Sequence, residues 1–356
     1  MKTKRDMEKV ISYNVAEAPS ENGFGWDPAD FSSGGSATCP FCGTIAEIGY
    51  VKLEGCSGRI GEQPLAIVTR RTGKLGRVYL GSDGLPKIEH ELQNAAVRTE
   101  RLIISGGVGL PDEAIEPRMT GGICIPYGLE TFGKLFNRRQ QLLLLACASI
   151  IRRAHGAMNY AAPVRKAVLT YLGTALDRLA ENSSNLCRWN AAAEKMQGTF
   201  GRQALAMVWD YCEANPFGGS VGDWMSLIAL QINAINGAPV ENKVPTVVTR
   251  GSAMDLPWSD ELCDAIITDP PYYDNIDYAK LADFFYVWMK RSIGFLYPEH
   301  FGSTSTPKKN EAVADPVRHG RSRQKAKCAY EEMMALAFAQ AYRVLKPTGC
   351  MTVVYA

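Results

Sequence analysis

Asp264-Ala265-Ile266-Ile267-Thr268-Asp269-Pro270-Pro271-Tyr272 is the stretch on which the fold turns. Asp264–Thr268 reads as a largely apolar strand of the kind an α/β sheet buries on both faces. Asp269-Pro270-Pro271-Tyr272 stands at its C-terminal end, and open α/β sheets bind ligands in the crevice beyond the carboxyl ends of their strands. The residue types suit one task, holding a planar exocyclic amino group for attack. The Asp269 carboxylate and the Pro270 carbonyl can each accept one N–H of an –NH₂, which draws the nitrogen towards sp³ geometry and frees its lone pair. Proline fixes φ and adds no donor, so the carbonyl stays aimed. Tyr272 offers a face to an extruded base, and such stacking is worth about 1–3 kcal/mol per base. Read alone, the same four residues are also an ordinary turn that ends a strand.

Working outward, Val244–Thr249 reads as a strand before the motif, and helices are expected at Asp283–Arg291 and Tyr330–Leu345 after it. Leu345-Lys346-Pro347-Thr348-Gly349 reads as a turn and Cys350–Tyr355 as a third strand. Strand, strand, helices, strand is a piece of an α/β sheet. Residues 241–356 therefore form one unit. Ahead of it, 129–240 is helical: Phe132, Leu135 and Phe136 open one amphipathic stretch, and Gln140–Arg153 makes another. Val164, Val168, Leu172, Ala175 and Leu179 recur at helical spacing, and Gln203–Cys212 and Asp223–Ile235 add two more helices. Residues 39–128 read as β-rich, with short strands at Leu65–Val68 and Arg77–Leu80 between glycine turns, and 105–128 as a Gly/Pro-rich linker. Residues 1–38 read as a loop or tail.

Composition sets outer limits. The chain has 356 residues and a formal net charge of +2, which excludes a histone-like polycation. Its longest mostly apolar run, Leu142–Ile151, is half of the roughly 20 residues a bilayer span needs, so no membrane partner is expected. The charged start Met1-Lys2-Thr3-Lys4-Arg5 has no apolar stretch behind it, and ten cysteines are scattered along the chain. Both features suggest a cytoplasmic protein in a reducing compartment.

The near-neutral total hides a local excess. Between Phe301 and Ala329 seven lysines and arginines face two acids, a net of +5, which leaves −3 for the rest of the chain. Lys308, Lys309, Arg318 and Arg321 in that stretch are candidates for contacts to a nucleic-acid backbone, against the plain alternative of a solvated loop. Tyr273 and Asn275 are candidates for shaping a base pocket. Cys39-Pro40-Phe41-Cys42 has the spacing of half a tetrahedral zinc site, yet Cys56 is the only other cysteine nearby and no histidine precedes His90.

Asp269 to Ile276 followed by Asp283-Phe284-Phe285-Tyr286-Val287-Trp288 resembles the zinc-ribbon-containing adenine-specific DNA methylases. The likeness continues upstream in Ala37–Gly43, Tyr127-Gly128, Leu135-Phe136, Arg139-Gln140, Leu176–Leu179, Ser183–Trp189, Arg202–Ala204 through Trp209-Asp210, and Asn215–Phe217, over residues 30 to 356. The resemblance implies an α/β fold, namely a partial Rossmann-like methyltransferase core with a helical insertion and a small β-rich, zinc-ribbon-like N-terminal segment. It implies methyl transfer from S-adenosylmethionine to the amino group of a flipped base in DNA, with Asp269, Pro270, Pro271 and Tyr272 as catalytic residues. Zinc at Cys39 and Cys42 comes with the same resemblance, as does a cofactor-side role for Ser252 and Asp255 after the strand 244–249.

One expected part does not match. The family binds its cofactor through a D-P-F-x-G-x-G loop after the first core strand. The nearest string here, Asn215-Pro216-Phe217-Gly218-Gly219-Ser220-Val221-Gly222, follows a helical pattern and also reads as a helix–helix turn. The expectation is therefore a fragment, or one half of a split enzyme whose separate N-terminal subunit carries the cofactor loop. Two other readings stay open: a catalytically inactive DNA-binding or regulatory fragment, and an amino-methyltransferase acting on RNA or on a protein glutamine.

Overall fold

A computed structural model describes residues 11, 13–18, 31–71, 73, 76–82, 88–117, 123–201, 204–219, 222–238, 246–274 and 276–354. The chain mixes helix and strand, with small sheets, and divides into two compact units. The first comprises the chain up to Gln231 together with Val287–Phe301, and the second Ile232–Tyr286 with Gly302–Ala356.

The first unit opens on an antiparallel meander, β1 (Ser32–Ser33), β2 (Ser36–Thr38) and β3 (Ile45–Ala46). Gly34 and Gly35 take positive φ at its first turn. Residues 32–38 are thus strands rather than the expected tail. Helix α1 (Ile48–Cys56), the hairpin β4 (Ala66–Arg70) and β5 (Arg77–Gly81), and helix α2 (Ile88–Gly106) follow. The hairpin agrees with the sequence reading, whereas α1 and the 19-residue α2 replace part of the expected β-rich segment. The backbone of α1 lies against the 3-10 turn Ile125–Tyr127: a Cβ on Gly55 would stand 2.7 Å from the Tyr127 carbonyl oxygen.

The expected linker 105–128 is also part of this unit. Val108 and Ile115 are buried, and the Ile115 amide donates to the Glu130 carbonyl at 2.9 Å. Arg291 reaches the same segment, donating to the carbonyls of Gly109 and Leu110 at 2.7 and 2.8 Å and to Glu113 at 2.9 Å. Its glycines and prolines allow an irregular path whose backbone groups are met partly by the Arg291 side chain and partly by the backbone of residues 130–133.

Helix α3 (Arg138–Ala157) starts where Asn137 caps it: the Asn137 side chain accepts from the amides of Arg139 and Gln140, and Gln140 reaches back to the Asn137 amide. Such a capping box is worth about 1 kcal/mol. Leu144, Leu145, Ala148 and Ile151 of α3 meet Leu169, Leu176, Leu179 and Ala180 of α4 (Ala162–Glu181) in the core. The stripe read from the sequence is right only in its second half, because Val164 and Val168 are exposed. The hairpin β6 (Arg188–Asn190) and β7 (Lys195–Gln197) follows α4. The helix expected at 203–212 does not form over its described residues 204–212. The Cys212 amide donates to the Cys187 carbonyl at 2.8 Å, so the segment bonds outward instead of along a helix. Helix α5 (Trp224–Asn236) lies where the sequence puts it.

The second unit contains β8 (Cys263–Thr268), the first half of α6 (Tyr278–Ile293), α8 (Arg323–Val344) and β9 (Leu345–Val353); the short α7 (Pro298–Phe301) falls in the first unit. Strands β8 and β9 pair in parallel, from Ala265 opposite Cys350 to Thr268 opposite Val353. Cys263 pairs with Leu345, so the expected turn 345–349 survives as a bulge inside the ladder. A Cβ on Gly349 would lie 2.9 Å from the Asp264 carbonyl oxygen, which explains the glycine there. A parallel pair needs a long crossover, and α6 to α8 supply it. α8 begins at Arg323, capped by Ser322, seven residues before the expected start at Tyr330.

Two expectations for this unit fail. Thr246–Thr249, the described part of the strand placed at 244–249, is irregular, and Val247 and Val248 are exposed. No strand among the described residues pairs with it. β8 itself is not buried on both faces, since Ile267 is 78% exposed. Among the described residues β9 is the one strand that pairs with it. Tyr355, the end of the expected third strand, lies outside the described residues. Arg343 ties α8 to the approach to β8 by donating to the carbonyls of Leu256 and Trp258 at 2.9 and 2.8 Å and to Asp260 at 2.7 Å.

Candidate active site

The ladder's last bond runs from the Val354 amide to the Thr268 carbonyl at 2.9 Å. Pro270 and Pro271 cannot donate to a ladder, so the chain leaves the sheet at Asp269. Asp269 is exposed, Pro270 is buried, and Pro271, Tyr272 and Tyr273 are half-buried. The Tyr272 hydroxyl donates to Asp269 Oδ1 at 2.5 Å. The Asp269 and Tyr272 side chains therefore face each other at the carboxyl end of β8.

The loop continues through Tyr273, which takes a φ of 48°. A non-glycine residue in the left-handed region costs about 1–2 kcal/mol. Two tethers hold it there. The Ala314 amide donates to the Tyr273 carbonyl at 2.9 Å, and the Tyr330 hydroxyl donates to the Pro271 carbonyl at 2.7 Å. The rings of Tyr273 and Tyr330 meet edge to face at 5.2 Å. Beside this loop an open, apolar hollow of about 470 Å³ is lined by Pro270, Tyr330, Met334, Phe338 and Val353.

The basic stretch is built differently from the sequence expectation. Lys308 pairs with Asp283 at 2.7 Å, and Arg318 pairs with Glu311 at 2.7 Å and donates to the Lys308 carbonyl at 2.8 Å. Glu311 also accepts from the Ala279 amide at 2.8 Å, at the start of α6. Thr306 adds bonds from its amide and hydroxyl to Asp283 at 2.8 and 2.6 Å. Deeper still, Lys280 pairs with Asp315 at 3.0 Å, with the two residues 3% and 0% exposed. Lys308 and Arg318 are thus spent on fastening residues 302–319 to α6. Lys309 and Arg321 are exposed, as are Arg323, Lys325 and Lys327 on the first turns of α8. Asn275 lies outside the described residues.

The cofactor-side candidates do not form a cradle. Ser252 and Asp255 close a small turn on themselves: Ser252 Oγ accepts from the Met254 amide, and the Asp255 amide donates to the Ser252 carbonyl, both at 3.1 Å. Asn215–Gly219, the described start of the string at 215–222, is a turn ahead of α5, in which Asn215 Oδ1 accepts from the Phe217 amide at 3.0 Å. It follows no strand, and Ser220 and Val221 lie outside the described residues. These residues do not fit S-adenosylmethionine by themselves.

Cys39 and Cys42 sit on a tight turn, where the Gly43 amide donates to the Cys39 carbonyl and the Cys39 amide to the Thr44 carbonyl, both at 2.9 Å. Among the described residues no group of three histidines, cysteines, aspartates or glutamates gathers to hold a metal. Cys56 turns its thiol to the Pro126 carbonyl at 3.3 Å. Two sulfurs fall short of the four ligands of a structural zinc site.

The sequence reading missed Tyr330 and the Lys280–Asp315 pair. Tyr330 was readable only as the start of a helix, and Asp315 only as a counter-charge in a basic run. Fold and site together define an α/β unit with an acidic, aromatic loop at the carboxyl end of a parallel strand. No family model, no curated protein and no solved structure matches the chain. Among the described residues no helix is long and apolar enough to cross a membrane.

Proposed function

We propose that this chain carries the base-holding half of an adenine-specific DNA amino-methyltransferase of the zinc-ribbon type, with β8 and β9 as part of a Rossmann-like core. The observation that carries the reading is the position of Asp269-Pro270-Pro271-Tyr272, directly beyond the carboxyl end of a strand in a parallel pair. A flipped adenine would present its amino group to the Asp269 carboxylate and the Pro270 carbonyl, while its ring stacks on Tyr272. The Tyr272 hydroxyl must then leave Asp269. The exposed Lys309, Arg321, Arg323, Lys325 and Lys327 supply positive charge for the DNA backbone.

S-adenosylmethionine is the proposed methyl donor. Since Ser252, Asp255 and the described residues of 215–222 make no cradle for it, its binding is assigned to a separate N-terminal subunit. The test combines the chain with the product of the neighbouring upstream reading frame, duplex DNA and methyl-labelled S-adenosylmethionine. The expected result is N6-methyladenine, abolished by Asp269→Ala while DNA binding persists. Methyl transfer by Asp269→Ala at the unaltered rate overturns the role of the motif.

The missing cradle also favours a second reading, a DNA-binding or regulatory chain without catalysis. It predicts no labelled product and no retention of S-adenosylmethionine with any upstream partner, alongside intact DNA binding.

A further inference from the structure

Within the loop that carries Asp269, the Tyr272 hydroxyl ties one side chain to another and leaves the backbone carbonyls to other donors. Pro270 and Pro271 have no N–H, so the loop cannot close its own turn by donating from either position. Tyr273, at its end, occupies a strained conformation that the surroundings must impose. The Pro271 carbonyl finds its donor on another element, the hydroxyl of Tyr330 on α8, at 2.7 Å.

Tyr330 is well placed to act as a rigid stop. It is 7% exposed and sits in the unit's core with Ala314 and Ala326, against which Tyr273, Ala312 and Met334 also pack. A tyrosine has two side-chain torsions, and packing on this scale leaves them no freedom. The oxygen at the far end of its ring is therefore fixed relative to α8, a 22-residue helix. Tyr330, Met334 and Phe338 follow at i, i+4 and i+8, so one face of α8 supplies both the bond to Pro271 and the wall of the hollow beside Pro270.

We propose that Tyr330 is the positioning residue of the Asp269–Tyr272 loop: its hydroxyl holds the Pro271 carbonyl and thereby sets where the Pro270 carbonyl and the Asp269 carboxylate stand. The kinetic consequence rests on the methyl-transfer reading above; the mechanical one does not. A loop that aims two acceptors at one amino group is sensitive to small shifts, since a displacement of about 1 Å can cost on the order of 10²-fold in rate.

The test uses the full chain and two variants. Tyr330→Phe removes the hydroxyl and keeps the ring. Ala326→Gly, one turn earlier on α8, loosens the same core and leaves the bond to Pro271 in place. The structural readout is hydrogen exchange at the Ala314 amide, which is buried and donates to Tyr273. Tyr330→Phe is expected to speed that exchange by about three- to tenfold relative to the amides of α8, in line with the loss of one net hydrogen bond. Ala326→Gly is expected to speed both together. Exchange at the unaltered rate in Tyr330→Phe, or the same pattern in both variants, overturns the proposal. With the reconstituted enzyme, Tyr330→Phe is expected to lower kcat at least tenfold with KM for DNA within about twofold. A raised KM at unchanged kcat would instead place the hydroxyl in DNA binding and overturn it. If the unaltered chain transfers no methyl group with any partner while the exchange rates differ as expected, the reaction fails and the positioning role stands.

Discussion

The Tyr272 hydroxyl occupies Asp269 Oδ1 at 2.5 Å, so in the free chain the motif's tyrosine satisfies the carboxylate that a substrate amino group would need. A hydrogen bond to an ionised acceptor is stronger than a neutral one, and a ligand at Asp269 has to displace it. Under the proposed function the ring of Tyr272 and its hydroxyl would have opposite effects: one would offer a stacking surface and the other would compete for the carboxylate.

That opposition separates in Tyr272→Phe. The phenyl ring keeps the stacking face and frees Asp269. The expected outcome is a KM for DNA lower by roughly three- to tenfold with kcat changed less than about twofold, read from steady-state methylation by the reconstituted enzyme. Tyr272→Ala loses the face and is expected to lose activity outright. Equal loss in both variants would show that the hydroxyl itself takes part.

Lys280 and Asp315 give a second expectation. Both are almost fully buried and pair at 3.0 Å, and Asp315 also accepts from the Val317 amide at 2.9 Å. Removing one partner leaves the other charge buried with a more distant counter-charge, Arg318 at 3.6 Å from Asp315 or Asp277 at 3.5 Å from Lys280. Lys280→Met is expected to destabilise by about 3–5 kcal/mol, measured by urea unfolding. The double variant Lys280→Met/Asp315→Asn is expected to recover a good part of that loss, because the buried carboxylate that lost its nearest counter-charge is gone. A single variant within about 1 kcal/mol of the unaltered protein would count against the pair as a structural anchor.

Much of the second unit was legible in the sequence because its signals are local. An apolar run bounded by Asp-Pro-Pro marks the end of β8, and the helical pattern from Tyr330 marks the body of α8, though not its start at Arg323 behind the Ser322 cap. The failures were non-local. Val164 and Val168 have helical spacing, yet which face of α4 is buried depends on what packs there: a Cβ on Gly173 would stand 3.0 Å from Ile293, a residue far along the chain. Lys308 and Arg318 count as free positive charge in any sequence sum, and only the folded chain brings Asp283 and Glu311 to them. The stretch 105–117 looks like a linker until Arg291 is seen to bind its carbonyls.

The basic stretch accordingly splits into two classes of side chain. Lys309→Ala and Arg321→Ala touch exposed residues, and each is expected to reduce the slope of log K against log salt for duplex DNA by about 0.9 without altering the unfolding midpoint. Arg318→Ala removes the partner of Glu311 and the donor to the Lys308 carbonyl. It is expected to lower the unfolding midpoint first, with any change in DNA binding following from that. Titration of a fluorescent duplex across 50–200 mM salt, beside a melting curve, distinguishes the two classes. An unchanged salt slope in both exposed variants would move the DNA surface elsewhere.

Asp177 supplies the pH dependence. It lies on the buried face of α4, Oδ1 finds no hydrogen-bond partner among the described residues, and burial pushes its carboxyl well above the usual carboxylate range. An acid whose folded pKa is raised binds its proton more tightly in the folded chain than in the unfolded one. Its contribution to stability is complete below the unfolded value of about 4 and is lost as pH rises from there through the raised folded value. Asp177→Asn has no such titration. Whatever fixed cost or gain the amide brings, the stability of Asp177→Asn relative to the unaltered chain is expected to rise between pH 4 and pH 8, read as a growing difference in urea midpoint. A constant difference across that range would mean that Asp177 titrates alike in both states, and a shrinking one would mean that its charged form is stabilised by a partner in the fold.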